Sequence, residues 1–245
     1  MANSDYIFGI RSVMEAIDGG KTIEKVFIKK GLIGDLSKEL FDLLHKNSIL
    51  YQFVPVEKLN RITHGNHQGV IALSSAITYQ RLEDIVMNCF EAGKTPFILV
   101  LDSITDVRNF GAIVRTAECS GVDAIVFPEK GSATPNSDSV KTSAGALLKL
   151  PICKVRDLDK SIKYLKDSGL QIIAATEKGA KRYTETDLTT PLALVMGSED
   201  VGVSEKILSL ADSRTYIPMF GTIQSLNVSV AAGILMFEAV RQRFN

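Results

Sequence analysis

From residue 96 onward the chain repeats one pattern: a short apolar run, a polar turn, then a helical period. Apolar runs stand at residues 97–102, 124–127, 171–175, 192–196 and 214–218, and helical patterns near 111–120, 140–148, 158–167, 204–210 and 228–243. Such alternation predicts a parallel sheet with helices on both faces, because parallel neighbours need crossover connections and bury both sides. The first run ends in Asp102-Ser103-Ile104-Thr105-Asp106 with no G-x-G-x-x-G. An ordinary dinucleotide site at the first turn is therefore excluded, and any cofactor must bind elsewhere on the sheet.

The preceding part reads as a smaller alternating α/β unit. Residues 7–17 suggest a short helix stopped by Gly19-Gly20, with strands at 23–29, 51–54 and 70–73 and a helical period at 36–46. Residues 1–5 read as a loose tail and 74–80 as an interdomain linker, and a helix over 81–90 leads into the second part. The expected division is 1–75, a connection over 76–95, and 96–245. A length of 245 residues suits one large domain or two modest ones. A hydrophobic content of 45% supports a substantial core.

With 28 basic and 28 acidic residues the formal charge is zero, which argues against coating nucleic acid through bulk charge while allowing local basic patches. Cys89, Cys119 and Cys153 are widely spaced and form no CxxC pair, so neither a disulfide framework nor a zinc knuckle is supported. No apolar run approaches the ~18 residues of a membrane span and no signal region opens the chain. The expectation is a cytoplasmic protein with no membrane partner.

Arg61-Ile62-Thr63-His64-Gly65-Asn66-His67-Gln68-Gly69 holds two of the three histidines. Metal binding by His64 and His67 lacks a third ligand, so no metal is expected. A polar loop contacting RNA phosphate or bases fits better, beside the plainer reading of a solvated turn.

Three stretches carry the chemistry. Asp102-Ser103-Ile104-Thr105-Asp106-Val107-Arg108-Asn109-Phe110-Gly111-Ala112-Ile113-Val114-Arg115-Thr116-Ala117 is the first. Leu192-Ala193-Leu194-Val195-Met196-Gly197-Ser198-Glu199-Asp200-Val201-Gly202 is the second, and Ser225-Leu226-Asn227-Val228-Ser229-Val230-Ala231-Ala232-Gly233-Ile234 the third. In the third, small residues crowd a helix start, so that start can approach a backbone or a ligand closely. Ser225 and Asn227 lie where side-chain oxygens cap free N–H groups. Taken alone, the stretch reads equally as a well-capped core helix.

Together the three stretches resemble the motifs of the SpoU branch of the SPOUT RNA methyltransferases, most nearly the bacterial ribosomal RNA guanosine 2′-O-methyltransferases. The resemblance is strong over residues 96–245 and looser over 6–75, where the His67-Gln68-Gly69-Val70 run matches. It implies an α/β fold whose parallel sheet ends in a deep trefoil knot, behind a small ribosomal-protein-like RNA-binding domain. It implies S-adenosyl-L-methionine as cofactor, RNA as partner (ribosomal RNA foremost), and a homodimer packed through the terminal helix. Gly197, Ile217 and Leu226 fall in the three loops that contact the methyl donor, with Met196, Pro218, Met219 and Val228 as neighbours and Thr176 ending the preceding strand.

The catalytic positions carried over are Asn109, Arg115, Glu199, Ser225 and Asn227. The family assigns the arginine the deprotonating role. A guanidinium with a pKa of about 12 or more is a poor base, so Arg115 reads better as the group that binds RNA phosphate and stabilises the incipient alkoxide. Asn109 would then orient the ribose, Glu199 would hold Arg115 or Asn109, and Ser225 and Asn227 would support the loop and the cofactor. A surface ion pair of Arg115 with Glu118 or Asp106 is the plain alternative. Three functions stay open: methylation of a ribosomal RNA guanosine, methylation of transfer RNA or of a ribosomal RNA adenosine, and a non-catalytic RNA-binding assembly factor.

Overall fold

The computed structural model describes residues 6–244, so the reading of residues 1–5 as a tail lies outside it. The chain forms two compact units, the first ending at Thr78 and the second starting at Tyr79.

In the first unit β1 (Tyr6–Phe8), α1 (Ile10–Asp18), β2 (Ile23–Lys29), α2 (Asp35–Lys46), β3 (Tyr51–Val54), α3 (Val56–Ile62) and β4 (Val70–Ser74) follow one another. The sheet order is β1-β4-β2-β3, with β2 and β3 parallel and the β4 pairings antiparallel. The expected helix over 7–17 is corrected at its start. Ile7 and Phe8 pair with Ala72 and Ile71 as a strand, and Gly9 turns the chain at φ 90° before the helix begins. That conformation favours glycine, and it separates two elements whose apolar residues read as one helical period. The short helix α3 was also missed. Along β2, Val26 and Ile28 are buried against Val13 and Ile17 of α1 and Leu40 and Leu44 of α2, while Lys25, Phe27 and Lys29 alternate onto the opposite face.

The second unit runs α4 (Leu82–Glu91), β5 (Phe97–Asp102), α5 (Val107–Cys119), β6 (Ala124–Pro128), α6 (Ser137–Thr142), β7 (Ile152–Val155), α7 (Leu158–Asp167), β8 (Gln171–Ala175), β9 (Lys181–Arg182), β10 (Leu192–Gly197), α8 (Glu205–Leu210), β11 (Ser213–Tyr216) and α9 (Val228–Phe244). Every pairing in its sheet is parallel, in the order β7-β6-β5-β10-β8-β11-β9. Strands β5, β8 and β10 are wholly or nearly apolar because both faces are covered. One face buries Ile98, Val100, Ala193 and Val195 against Leu82 and Val86 of α4, Ile162 and Leu165 of α7, and Ile207 of α8. On the other face Phe110 of α5 meets Phe127 of β6 with ring centroids 5.4 Å apart.

Several elements differ from the sequence reading. The helix expected near 140–148 is α6 followed by a separate 3-10 turn at Ala146–Leu148, because Ala144 and Gly145 both adopt positive φ. Strands β7 and β9 lacked a signal: β7 has four residues and β9 two, and they form the two edges of the sheet. The strand expected to reach residue 218 stops at Tyr216, which leaves Ile217 and Pro218 in the loop.

Candidate active site

The first motif is built by its carboxylates. Asp102 closes β5, is buried, and accepts the Ser204 N–H at 2.8 Å, fastening the strand end to the start of α8. Asp106 caps α5 by accepting the N–H groups of Arg108 (2.7 Å) and Asn109 (2.9 Å). That cap starts the helix at Val107, four residues before the expected start, and places Asn109 in its first turn.

The second motif turns back on itself. Gly197 ends β10, and Ser198 and Gly202 form a bridge that closes the loop. A Cβ on Gly197 would lie 2.0 Å from the Gly202 carbonyl carbon, so only glycine fits this fold-back.

Within the third motif, Asn227 caps α9. Its Oδ1 accepts the Ser229 N–H at 3.0 Å. Ser225, expected to share the capping, is exposed and makes no hydrogen bond among the described residues; it faces the cavity described below.

The three motifs meet at one oxygen. Glu199 Oε1 accepts hydrogen bonds from Asn109 Nδ2 (3.1 Å), Asn227 Nδ2 (2.6 Å) and the Val228 N–H (3.2 Å). Asn227 Nδ2 also donates to Asn109 Oδ1 at 3.0 Å. A carboxylate from the β10 loop therefore caps the start of α9 from outside it, where the helix dipole favours negative charge. Of the two partners expected for Glu199, the structure gives it Asn109. Arg115, six residues further along α5, is exposed and its side chain has no hydrogen bond or ion pair among the described residues, so the pairing with Glu118 or Asp106 does not form.

Beside this junction a cavity of about 300 Å³ opens at the C-terminal ends of β8, β10 and β11. Thr176, Met196, Gly197, Ile217, Met219, Leu226 and Val228 line it, together with Glu199 and Ser225. Pro218, expected with them, does not line it: its two neighbours do. Asn109, Arg115 and Asn227 also lie outside the lining. Sequence reasoning missed Glu177, Lys178, Glu205, Gln224 and Leu235 on the wall. The first two directly follow Thr176, so the strand end itself was the available signal. The cavity's position fits the rule that open α/β sheets bind ligands beyond the carboxyl ends of their strands.

A sequence profile described as the SpoU rRNA methylase family matches residues 96–237. The chain belongs to that family. It is an RNA methyltransferase, and its first unit matches a second profile, RNA 2'-O ribose methyltransferase substrate binding, over residues 6–80. A relative from Bacillus subtilis, the putative TrmH family tRNA/rRNA methyltransferase YacO, is 32% identical over 239 residues, covering 98% of this chain and 96% of the relative. The crystal structure of AviRb from Streptomyces viridochromogenes, a SpoU methyltransferase in complex with AdoMet, superposes with a TM-score of 0.62 at 23% identity, covering 98% of this chain and 90% of the other. The A. aeolicus TrmH/SpoU tRNA modifying enzyme is 36% identical with a TM-score of 0.57, covering 66% of this chain and 84% of the other. The expected α/β fold with a parallel sheet and an N-terminal substrate-binding unit is borne out. No helix among the described residues is long and apolar enough to cross a membrane.

Proposed function

We propose that this enzyme methylates a ribose 2′-hydroxyl of RNA, and that its target is a guanosine of 23S ribosomal RNA. The observation that carries the reading is the convergence of Asn109, Glu199 and Asn227 beside a cavity closed by a glycine-only turn. The match of residues 6–80 to a 2'-O ribose methyltransferase substrate-binding profile supports ribose as the acceptor.

The cavity suits S-adenosyl-L-methionine. Met196, Ile217, Leu226, Val228 and Leu235 provide apolar wall, while Thr176 and the backbone around Gly197 provide polar groups, the mixture a nucleoside needs. The strand end approaches Gly202 so closely at Gly197 that this part of the wall is bare backbone. When bound, the cofactor supplies an electrophilic methyl group on a sulfonium centre.

The chain's own residues then divide the work. Arg115 keeps its charge free for an RNA phosphate and for the oxygen that develops negative charge as the hydroxyl loses its proton. That proton passes to water or to the phosphate, since a guanidinium cannot accept it. Asn109 spends both ends of its amide on Glu199 and Asn227. We therefore assign it to positioning the loops and not to orienting the ribose directly. Ser225 stands at the cavity with its hydroxyl unspent.

We further infer a homodimer and a knotted C-terminal part. Val230 and Phe237 on α9 are half exposed, and Phe220 and Ile223 in the loop before it are largely exposed, an apolar surface that a second copy would cover. Arg115 does not line its own chain's cavity, which fits a role beside the partner's. Strand β10 sits between β5 and β8, β11 lies beyond β8, and the chain then returns to pack α9 on α5 and β10, a path compatible with threading. We take residues 1–75 as the RNA-binding domain, 76–95 as the connection and 96–245 as the catalytic domain.

The A. aeolicus tRNA modifying enzyme favours transfer RNA as a second reading, but that likeness spans two-thirds of this chain, whereas the substrate-binding unit is intact here. Mass mapping of ribosomal and transfer RNA from a strain lacking the gene tests the choice. Loss of one 2′-O-methylguanosine from 23S RNA is expected; loss confined to transfer RNA would overturn it.

A further inference from the structure

The first unit carries a cavity of its own, of about 360 Å³, lined by Lys29, Leu32, Val56, Asn66, His67 and Gln68. We propose that it is a subsite for one unpaired nucleotide of the RNA substrate, fed by a basic and aromatic strip along β2. The proposal rests on the RNA-directed reading above and gives it a place in this unit.

The loop over the cavity is held in one shape. His67 Nδ1 accepts the Gly69 N–H at 3.0 Å, so Nε2 carries the proton and donates to Asn60 Oδ1 at 2.9 Å. Both ring nitrogens are thereby engaged, and neither is left for a metal. His67 is a positioning residue. The next two residues both take positive φ, Gln68 at 49° and Gly69 at 82°. A glutamine in the left-handed region is strained, and strain of this kind persists where the surrounding structure enforces it. A Cβ on Gly69 would lie 3.2 Å from Leu32 and 3.3 Å from Lys29, so the glycine also seats the loop directly on the end of β2. The result leaves Asn66 and Gln68 exposed at the cavity, two amides able to both donate to and accept from a base edge.

The approach to the cavity is cationic. Lys25, Phe27 and Lys29 share one face of β2 at alternate positions. The ammonium groups of Lys25 and Lys58 stand 5.6 and 5.1 Å from the centre of the Phe27 ring. Exposed Lys30 and Arg61 flank the same elements. Cations around an aromatic ring beside amide-bearing side chains suit single-stranded RNA, whose phosphates pair with the cations and whose bases stack and present free edges. A regular duplex hides those edges, so the cavity discriminates for an unpaired nucleotide.

The test uses the full chain and a fluorescent single-stranded oligoribonucleotide, with the same sequence annealed to its complement as comparator. Lys29→Ala and Asn66→Ala change exposed side chains, so folding is checked by the melting temperature, which should not move. Together they should weaken single-strand binding roughly tenfold and leave S-adenosylmethionine affinity unchanged. Ultraviolet cross-linking of the wild type should tag the tryptic peptide that follows Arg61. Wild-type affinity in the double variant, equal affinity for duplex, or cross-links confined to residues 79–245 would each overturn the subsite. If the protein methylates no RNA but keeps variant-sensitive single-strand binding, the subsite stands and the activity reading fails.

Discussion

Asn227 Nδ2 lies 2.6 Å from Glu199 Oε1, joining the start of the last helix to the loop after β10 across 28 residues of sequence. The same oxygen also takes the Asn109 amide and the Val228 N–H, so a single carboxylate holds three segments that sequence alone leaves far apart.

Removing that carboxylate should therefore do more than remove one contact. Glu199→Ala takes the shared acceptor from three donors, of which Asn227 Nδ2 keeps Asn109 Oδ1 and the other two keep none. The exposed setting keeps the stability cost to about 1 kcal/mol, but methylation should fall by roughly two orders of magnitude. Calorimetric melting and single-turnover methylation check the two parts. Near-normal turnover in a stable Glu199→Ala protein would contradict the assignment.

The wall proposed for the cofactor gives a second prediction. Leu226 lines the cavity and is only partly buried, so Leu226→Arg should fold, lose S-adenosylmethionine binding in titration calorimetry, and keep its melting temperature. Wild-type binding should need no metal: it should persist in EDTA. Gly197→Ala should be worse, because the added methyl meets the Gly202 backbone and no flexible group can yield.

Arg115 should separate chemistry from binding. Its side chain is exposed and makes no hydrogen bond among the described residues, so Arg115→Ala should leave stability and cofactor affinity unchanged while abolishing methylation. Retained turnover would defeat the role proposed for it.

Much of this was legible in the sequence. Strands β5 and β8 stand at the residues their apolar runs marked, because fully covered parallel strands leave no other pattern. Cavity residues followed from the resemblance, and all but Pro218 of the cofactor set line the wall. The Glu199 junction was not legible in its geometry, since hydrogen bonds across 28 and 90 residues depend on where β10 inserts between β5 and β8. The edge strands β7 and β9 were invisible for a different reason. Edge pairing needs few residues and little apolar surface, so four residues after Pro151 carry no period.

Assembly needs a different variant from the one the helical pattern suggests. Leu235 and Met236 are fully buried within the chain, so charging them would unfold it. Val230 and Phe237 are half exposed, so the wild type should sediment as a dimer at micromolar concentration and Phe237→Asp as a folded monomer with little activity. A fully active wild-type monomer would remove the dimer from the account.

The last helix also sets an acid limit. Glu238 is buried and its carboxyl is held below the usual glutamate value, chiefly by the hydrogen bond from Arg241 and further by Gln242. A lowered folded value means its stabilisation is present above the ordinary glutamate range and is lost as pH falls through the folded value. The melting temperature of the wild type should therefore drop more steeply on acidification than that of Glu238→Gln, and parallel curves would contradict this.

The most direct test of the central claim is to incubate the purified protein with ribosomal RNA and methyl-labelled S-adenosylmethionine, then digest the RNA to nucleosides for mass spectrometry. The account predicts label on the ribose of 2′-O-methylguanosine, absent with Arg115→Ala. Label on a base, or none on ribosomal or transfer RNA, would contradict it.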